Sequence, residues 1–195
     1  MSNIFSVICP TDCSVSIVPA LPAQTDCIVP SRSEIDMIIF RGSAVGPTDM
    51  SMAADWVAKI DNTEALGAKM KYLIGIGTMA APEDTTQTGP RDKEIIVSRL
   101  YTLVFTISNI TSAVTYDFLR KLQCGNILPN IYYTDLGGFL YGQVAASGPD
   151  NGIEIASVSV AMPKDAGKEG HNKAILTIKW SSKVDPDRVI NPLTI

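Results

Sequence analysis

The chain has 195 residues, of which 46% are hydrophobic and 18% are charged. This length is enough for one domain with a sizeable core, and the composition excludes a chain that is disordered throughout. The 16 basic and 20 acidic residues give a net charge of −4, and no run of lysine and arginine is present to bind phosphate groups. We therefore expect one domain with extensions and no sequence-specific binding to nucleic acid.

The first residues, MSNIFSVICPTDC, do not form a basic segment followed by a continuous apolar stretch. No window of the sequence reaches the roughly 18 apolar residues of a membrane span. We expect a protein that is not exported by the usual signal, and the reducing cytosol is then its compartment. The four cysteines are expected to be thiols.

Residues 1–47 contain five prolines, and short apolar stretches lie between them. Prolines at this spacing exclude a helix and confine strands to short or edge positions. The sequence predicts an extended N-terminal arm with brief strands, SVSIVP and EIDMIIFRG. These strands are expected to pair with the body of the chain or with a neighbouring subunit.

Residues 48–60 fit two interpretations. Thr48 or Asp49 can cap a short amphipathic helix that carries Trp56 and Ile60 on one face. A strand over residues 54–60 with a period of two also puts Trp56 and Ile60 together. The pattern does not separate the helix from the strand, but both interpretations leave Trp56 on an apolar face.

The clearest pattern lies in the body predicted for residues 48–181. The segment EIIVSRLYTLVFTISNI is rich in β-branched and aromatic residues and predicts a long strand. TSAVTYDFLRKLQCG then predicts one helix over about residues 111–124, with Gly125 as its stop. Its apolar stripe consists of Val114, Phe118, Leu119 and Leu122. At least four further strands follow, so the predicted fold class is mainly β, a β-sandwich or barrel-like body with one flanking helix.

Two segments lie outside this pattern. Residues 82–94, PEDTTQTGPRDKE, are polar and contain two prolines, which predicts a surface loop or an insertion at a hairpin tip. Residues 182–195 contain Pro186 and Pro192 and have no periodicity. They are predicted to form an extended C-terminal arm.

The cysteines raise the question of a metal site. A structural zinc site needs four ligands, commonly in two close pairs. Cys9 and Cys13 are close, but Cys27 and Cys124 stand alone, and the single histidine, His171, is near the other end of the chain. The repeated words TDC and IVP are better explained by two turn-and-strand units in which cysteine packs as a small apolar residue. No metal or other cofactor is predicted.

Other motifs do not indicate catalysis. Residues 75–80, GIGTMA, match the outline of a dinucleotide fingerprint, which works only where a helix begins. Pro82 and the polar run after it leave no room for that helix, so the glycines are interpreted as a bend in a strand. His171 lies in a glycine-containing segment with charged neighbours, which is typical of a solvated turn rather than of a general base. We predict no catalytic residues and no enzyme.

Ordering extended termini is costly unless they dock on something, and a neighbouring copy is the simplest partner. In the strand RLYTLVFTISNI, the helix TSAVTYDFLRKLQCG and the hairpins that follow, the chain resembles virion structural proteins of tailed bacteriophages. The loop PEDTTQTGPRDKE and the terminal arms add to this resemblance, which covers tail-tube, collar-ring and head-decoration subunits.

The resemblance implies a β-sandwich or barrel subunit that forms homo-oligomeric rings or tubes in the virion and contacts other virion proteins. It implies that residues 82–94 are an inter-subunit loop and that residues 1–47 and 182–195 are arms. It implies no membrane partner, and DNA would at most pass through a lumen. The proline-rich N-terminal region fits a head-decoration or connector protein equally well.

Two other classes of protein stay open. A β-barrel that binds a small ligand would line its cavity with the aromatic set Tyr132, Tyr133, Phe139 and Tyr141. The alternative is that these side chains pack in strand pairs or at an interface. A hydrolase or metal enzyme would need Cys13, Cys27 or His171 to meet acidic residues in one cleft.

Overall fold

The computed structural model describes residues 34–61, 69–89, 92–108, 110–124, 129–145, 147–162 and 173–193. Nine strands form one antiparallel sheet: β1 (Ile35–Phe40), β2 (Lys71–Met79), β3 (Glu83–Thr88), β4 (Glu94–Ile107), β5 (Ile131–Asp135), β6 (Phe139–Gly142), β7 (Ser157–Ala161), β8 (Ala174–Ser182) and β9 (Asp187–Ile190). The helices are α1 (Ala53–Val57) and α2 (Ala113–Gln123). The order of the strands is β7-β8-β4-β2-β1-β5-β6-β9, and β3 pairs with β4 beside this path. The predicted mainly β fold with one helix of several turns is confirmed.

The strand β1 lies in the middle of the sheet, between β2 and β5. Ile38 and Phe40 belong to one buried cluster, whereas Met37 and Ile39 belong to another. Both faces of the strand are therefore covered, which explains why MIIF is a continuous apolar run and not an alternating one. The strand predicted in EIDMIIFRG thus pairs with the body of its own chain.

One buried cluster fills the inside of the curved sheet. Trp180 of β8 stacks on Tyr101 of β4 with ring centroids 5.2 Å apart. The same indole lies 6.3 Å from the ring of Tyr133 in β5. Three strands separate β8 from β5 in the sheet, so this contact requires the sheet to curl back on itself.

The helix α2 packs onto this inner cluster. Ser112 caps the helix, because its hydroxyl accepts a hydrogen bond from the backbone N–H of Thr115 at 3.4 Å. The ring of Phe118 meets that of Phe40 edge to face at 5.2 Å. The buried side chains of the helix are Phe118, Leu119 and Leu122. Val114, which the sequence places in the same stripe, is 56% exposed, because only the later turns of the helix reach the cluster.

The second buried cluster lies on the other face of β1 and β5. Residues 53–57 form the helix α1, so the helical interpretation of this segment is the right one. The cap predicted at Thr48 or Asp49 is wrong, because the helix begins after Met52 without a side-chain cap. The N–H groups of both residues donate instead to Asp55 Oδ2. Trp56 is fully buried and packs edge to face on Tyr132 with ring centroids 5.0 Å apart. Its indole N–H donates to the backbone oxygen of Met50 at 3.0 Å. α1 therefore covers the outer face of the central strands.

The two glycines of GIGTMA, Gly75 and Gly77, lie in β2, where the absence of a side chain leaves room for the ring of Phe105. A Cβ atom on Gly75 would lie 2.4 Å from the carbonyl oxygen of Thr106 and 2.8 Å from the ring of Phe105. A Cβ atom on Gly77 would lie 2.7 Å from the same ring. The next described element is the strand β3 and not a helix, so the segment lacks the helix N-terminus of a dinucleotide site.

Part of the region predicted to be a C-terminal arm also belongs to the sheet. The strand β9 pairs with β6, with Ile190 opposite Phe139. The guanidinium group of Arg188 lies 4.4 Å from the centre of the Phe139 ring. Backbone pairing and a cation–π contact hold this short strand in place.

Candidate functional site

A two-stranded hairpin extends beyond the body of the sheet. The strands β2 and β3 follow one another along β4, since Met79 pairs with Leu103 and Glu83 pairs with Leu100. On the other side of β4, β8 pairs only from Arg99 onward. Residues 85–88 and 94–98 thus pair with each other and with no other strand that the structure describes; with Glu83 and Asp84, which pair with Leu100 and Arg99, they are named the β3–β4 hairpin.

The hairpin corrects the loop predicted for residues 82–94. Glu83–Thr88 is a strand, and three of its six residues are threonines, which favour strands. The turn is closed by a hydrogen bond from the N–H of Gly89 to the carbonyl oxygen of Lys93 at 2.7 Å. The sequence does not indicate this strand, because β3 itself is polar and the apolar residues that lie beside it belong to β4.

The side chains of the hairpin are largely open to solvent. Every residue of β3 is exposed, and in β4 Ile95 is 50% and Val97 is 46% exposed. The register moves from Thr86 opposite Ile96 to Thr85 opposite Ser98, so Val97 is an extra, bulged residue. The hairpin therefore presents apolar side chains and unpaired strand edges together.

Charged and aromatic groups fix the base of the hairpin. Arg99 Nε lies 3.0 Å from Asp84 Oδ1, and Arg99 Nη1 lies 3.7 Å from Asp185 Oδ1. The hydroxyl of Tyr101 donates to Asp185 Oδ1 at 2.6 Å. The hydrogen bond with Tyr101 and then the charge of Asp84 raise the pKa of Arg99. These contacts connect both strands of the hairpin to the segment that leads into β9.

The strand β9 is a second free edge in the described part of the sheet. The N–H of Asn191 donates to the carbonyl oxygen of Gly138 at 2.9 Å. Backbone groups alternate in direction along an antiparallel strand. The N–H and C=O groups of Val189 therefore also point toward β6, and those of Arg188 and Ile190 point away from it. Ile190 is 78% exposed. This edge is shorter than that of β3.

An exposed apolar patch lies on the outer face of β2 and β4, beside the part that α1 covers. Ile74 is 61%, Ile76 is 66% and Val104 is 38% exposed. Ile76 pairs with Thr106 and Thr78 with Val104, so Ile76 and Val104 are diagonal neighbours on one face. Contiguous apolar surface of this kind is typical of protein–protein contacts.

The aromatic set proposed for a ligand barrel is divided between the two faces of the sheet. Tyr132 belongs to the outer cluster, whereas Tyr133 stacks on Tyr141 at 4.7 Å on the inner side. Tyr133 and Tyr141 border an open groove of about 410 Å³. The Tyr141 hydroxyl donates to Asp135 Oδ2 at 2.9 Å. The four side chains do not line one common cavity, and packing accounts for them.

The packed tyrosines predict alkaline sensitivity. Burial raises the pKa of Tyr101, Tyr132, Tyr133 and Tyr141 above the ordinary value of 10.0. Folding favours their protonated form, so their contribution is complete below pH 10 and is lost as the pH rises through the raised values. We expect the free energy of unfolding to fall above pH 10, with tyrosinate absorbance rising as the near-ultraviolet circular dichroism disappears. Ionisation of all tyrosines near pH 10 in a chain that stays folded would contradict this.

The other candidate residues of the sequence do not form a site in the part of the chain that is described. Cys9, Cys13, Cys27 and His171 lie outside the described residues. Cys124 is exposed and follows the last turn of α2. Among the described residues, no group of three or more His, Cys, Asp and Glu side chains is placed to hold a metal ion. Within the same residues, no helix has the length and apolar character needed to cross a membrane.

Comparison with known proteins finds no matching family model, no matching curated protein and no matching solved structure. Inference about function therefore depends on the surfaces described above. Of these, the β3–β4 hairpin combines unpaired edges, exposed apolar side chains and a fixed base.

Proposed function

We propose that this chain is a non-enzymatic structural subunit that assembles with copies of itself, as a ring or tube in the tail or collar of a bacteriophage. The main support is the β3–β4 hairpin. An isolated two-stranded hairpin is at best marginally stable in water, because it buries little apolar surface. Here Ile95 and Val97 are about half exposed. No third strand in the described part of the chain pairs with the residues that form the hairpin. A partner that covers the hairpin supplies the missing stabilisation.

Unpaired strand edges favour the same conclusion. Free backbone N–H and C=O groups along an edge strand are a template for another strand, and monomeric proteins usually block such edges with lysine, proline or a covering element. The six residues of β3 contain no lysine and no proline, and their two charged residues, Glu83 and Asp84, lie together at one end of the strand. The edge of β9 and the apolar patch around Ile76 offer further contacts for an assembly.

The virion assignment is an inference from the resemblance noted in the sequence together with these surfaces. A net charge of −4 and the absence of a basic run are compatible with DNA that passes without sequence-specific contacts. A head-decoration or connector subunit of the virion is the alternative function. Electron microscopy of the purified assemblies distinguishes them, because tubes or isolated rings indicate the tail or collar.

The experiment that tests assembly combines Ile95→Asp with Val97→Asp. Two charges on the hairpin prevent burial of this surface against a partner, so we expect the association constant to fall at least about tenfold. Sedimentation velocity and negative-stain electron microscopy measure the change. The matched control is Val57→Asp in α1, a position that is 79% exposed and lies outside the hairpin; it should assemble like the parent. A parent chain that remains a compact monomer at all concentrations would refute the proposal.

A further inference from the structure

We infer that the β3–β4 hairpin binds the same hairpin of a second copy, with the two β3 strands antiparallel and Thr86 opposite Thr86 of that copy. The inference rests on the proposed self-assembly and names one of its contacts. It follows from the direction of the backbone groups of β3, from the bulge in β4 and from the pattern of charges along β3.

The backbone direction shows which groups of β3 are available. The N–H of Gly89 donates to Lys93 in the opposite strand at 2.7 Å, and Gln87 pairs with Ile95. Backbone groups alternate in direction along an antiparallel strand. The N–H and C=O groups of Gly89, Gln87 and Thr85 therefore point toward β4. The outward residues are Asp84, Thr86 and Thr88. In the described chain no strand pairs with this outer side of β3.

The outer side of β4 is a poorer edge in the same hairpin. The bulge at Val97 interrupts the regular spacing of its backbone groups. From Arg99 onward the strand is already paired with β8. β3 itself has no inserted residue over Glu83–Thr88, so it offers the longer regular ladder.

The charges of β3 select the direction of pairing. A parallel pair in register would place Glu83 opposite Glu83 and Asp84 opposite Asp84, and like charges opposite one another are destabilising. An antiparallel pair centred on Thr86 places Asp84 opposite Thr88 and Glu83 opposite Gly89. No two carboxylates meet in this arrangement, and threonine pairs favourably with threonine across strands. Asp84 is in addition neutralised by Arg99 at 3.0 Å.

The alternation of backbone groups then fixes the register. A shift by one residue would place Thr86, whose N–H and C=O groups point outward, opposite a residue of the second copy whose N–H and C=O groups point toward its own β4. Hydrogen bonds between the two strands could not form in that register. A shift by two residues leaves an outward residue at one end, Asp84 or Thr88, without a partner. The register centred on Thr86 is therefore the one that uses all three outward residues of each strand.

Such a contact has a twofold axis, because the same surface is used by both copies. It joins two free subunits or two rings face to face, and it is not repeated along an open-ended polar tube. By itself this contact closes after two copies, so the ring of the proposed function needs a further contact, such as the edge of β9 or the apolar patch around Ile76.

Cross-linking through Thr86→Cys tests the register directly. Cα atoms of a hydrogen-bonded antiparallel pair are about 5.5 Å apart, within the range of a disulfide. Mild oxidation is expected to convert most of this variant to a covalent dimer on a non-reducing gel. In Thr85→Cys the two cysteines are diagonal neighbours about 7–8 Å apart, so this variant and the parent, with its native cysteines, should give little dimer. Equal cross-linking of the two variants, or none with Thr86→Cys, would overturn the inference.

A backbone substitution provides the second test. Thr86→Pro removes an outward N–H, but leaves the bonds to β4 in place. We expect it to weaken twofold association at least about tenfold, since both N–H···O bonds of the central pair are lost. Thr86→Val keeps the N–H and should associate like the parent. Unchanged assembly of Thr86→Pro refutes this contact alone, whereas a parent that never assembles refutes the proposed function and this contact with it.

Discussion

Replacement of Trp56 by alanine is expected to lower the free energy of unfolding by about 3–5 kcal/mol. Trp56 is fully buried, and its ring packs edge to face on that of Tyr132 at 5.0 Å. Its indole N–H also donates to the backbone oxygen of Met50 at 3.0 Å. The substitution removes the ring contact, leaves a cavity under α1 and deprives a buried carbonyl group of its donor.

Urea denaturation followed by circular dichroism measures this change. The matched control is Val57→Ala, the next residue of α1, which is 79% exposed and should change the free energy of unfolding by about 0.5 kcal/mol or less. Trp56→Phe keeps an aromatic ring but loses the hydrogen bond, so its loss should lie between those of the two other variants. A loss below about 1 kcal/mol for Trp56→Ala would show that α1 does not close the outer cluster.

The elements that could be predicted from the sequence are those with a long periodic pattern. β4 extends over 14 residues with alternating β-branched and aromatic side chains, and α2 has a cap and an apolar stripe that repeats at helical spacing. Local propensity and burial agree in the second half of β4 and in the later turns of α2, whereas Ile95, Val97 and Val114 are apolar and exposed. The mainly β class with one helix of several turns follows from these two elements and the short strands after them.

The position of β1 could not be predicted in the same way. A short apolar run such as MIIF is compatible with an edge, an arm or a central strand. Its central position depends on pairing with β2 and β5, which are distant in the sequence. The same holds for β9, which is four residues long and is fixed by β6.

The candidate site was only partly visible in the sequence. Residues 82–94 stand out as a polar segment between more apolar strands, but composition predicts a loop there. The strand Glu83–Thr88 exists because β4 supplies its hydrogen-bond partners, and a pattern of side chains contains no information on that backbone ladder. The unpaired edge, on which the inference about a second copy depends, is visible only once the strand order is known.

Replacement of Asp150 by alanine is the second change for which a large loss of stability is expected, about 3 kcal/mol. The carboxylate is 2% exposed and accepts two backbone N–H groups, from Met50 at 3.1 Å and from Ala145 at 2.8 Å. These bonds connect the segment before α1 to the loop after β6. Alanine leaves both donors without an acceptor, and the Met50 N–H is buried, so the cost of its desolvation is not recovered.

The comparison of Asp150→Asn with Asp150→Ala tests this explanation. Asparagine can accept one of the two N–H groups, but its NH₂ group cannot accept the other, so an intermediate loss is expected. Asp187→Ala is the control, because Asp187 Oδ2 also accepts a backbone N–H, from Val144 at 2.9 Å, in an exposed place. Water replaces that acceptor, and the loss should be about 1 kcal/mol or less. Equal losses for Asp150→Ala and Asp187→Ala in thermal and urea denaturation would show that the buried carboxylate does not hold the two segments together.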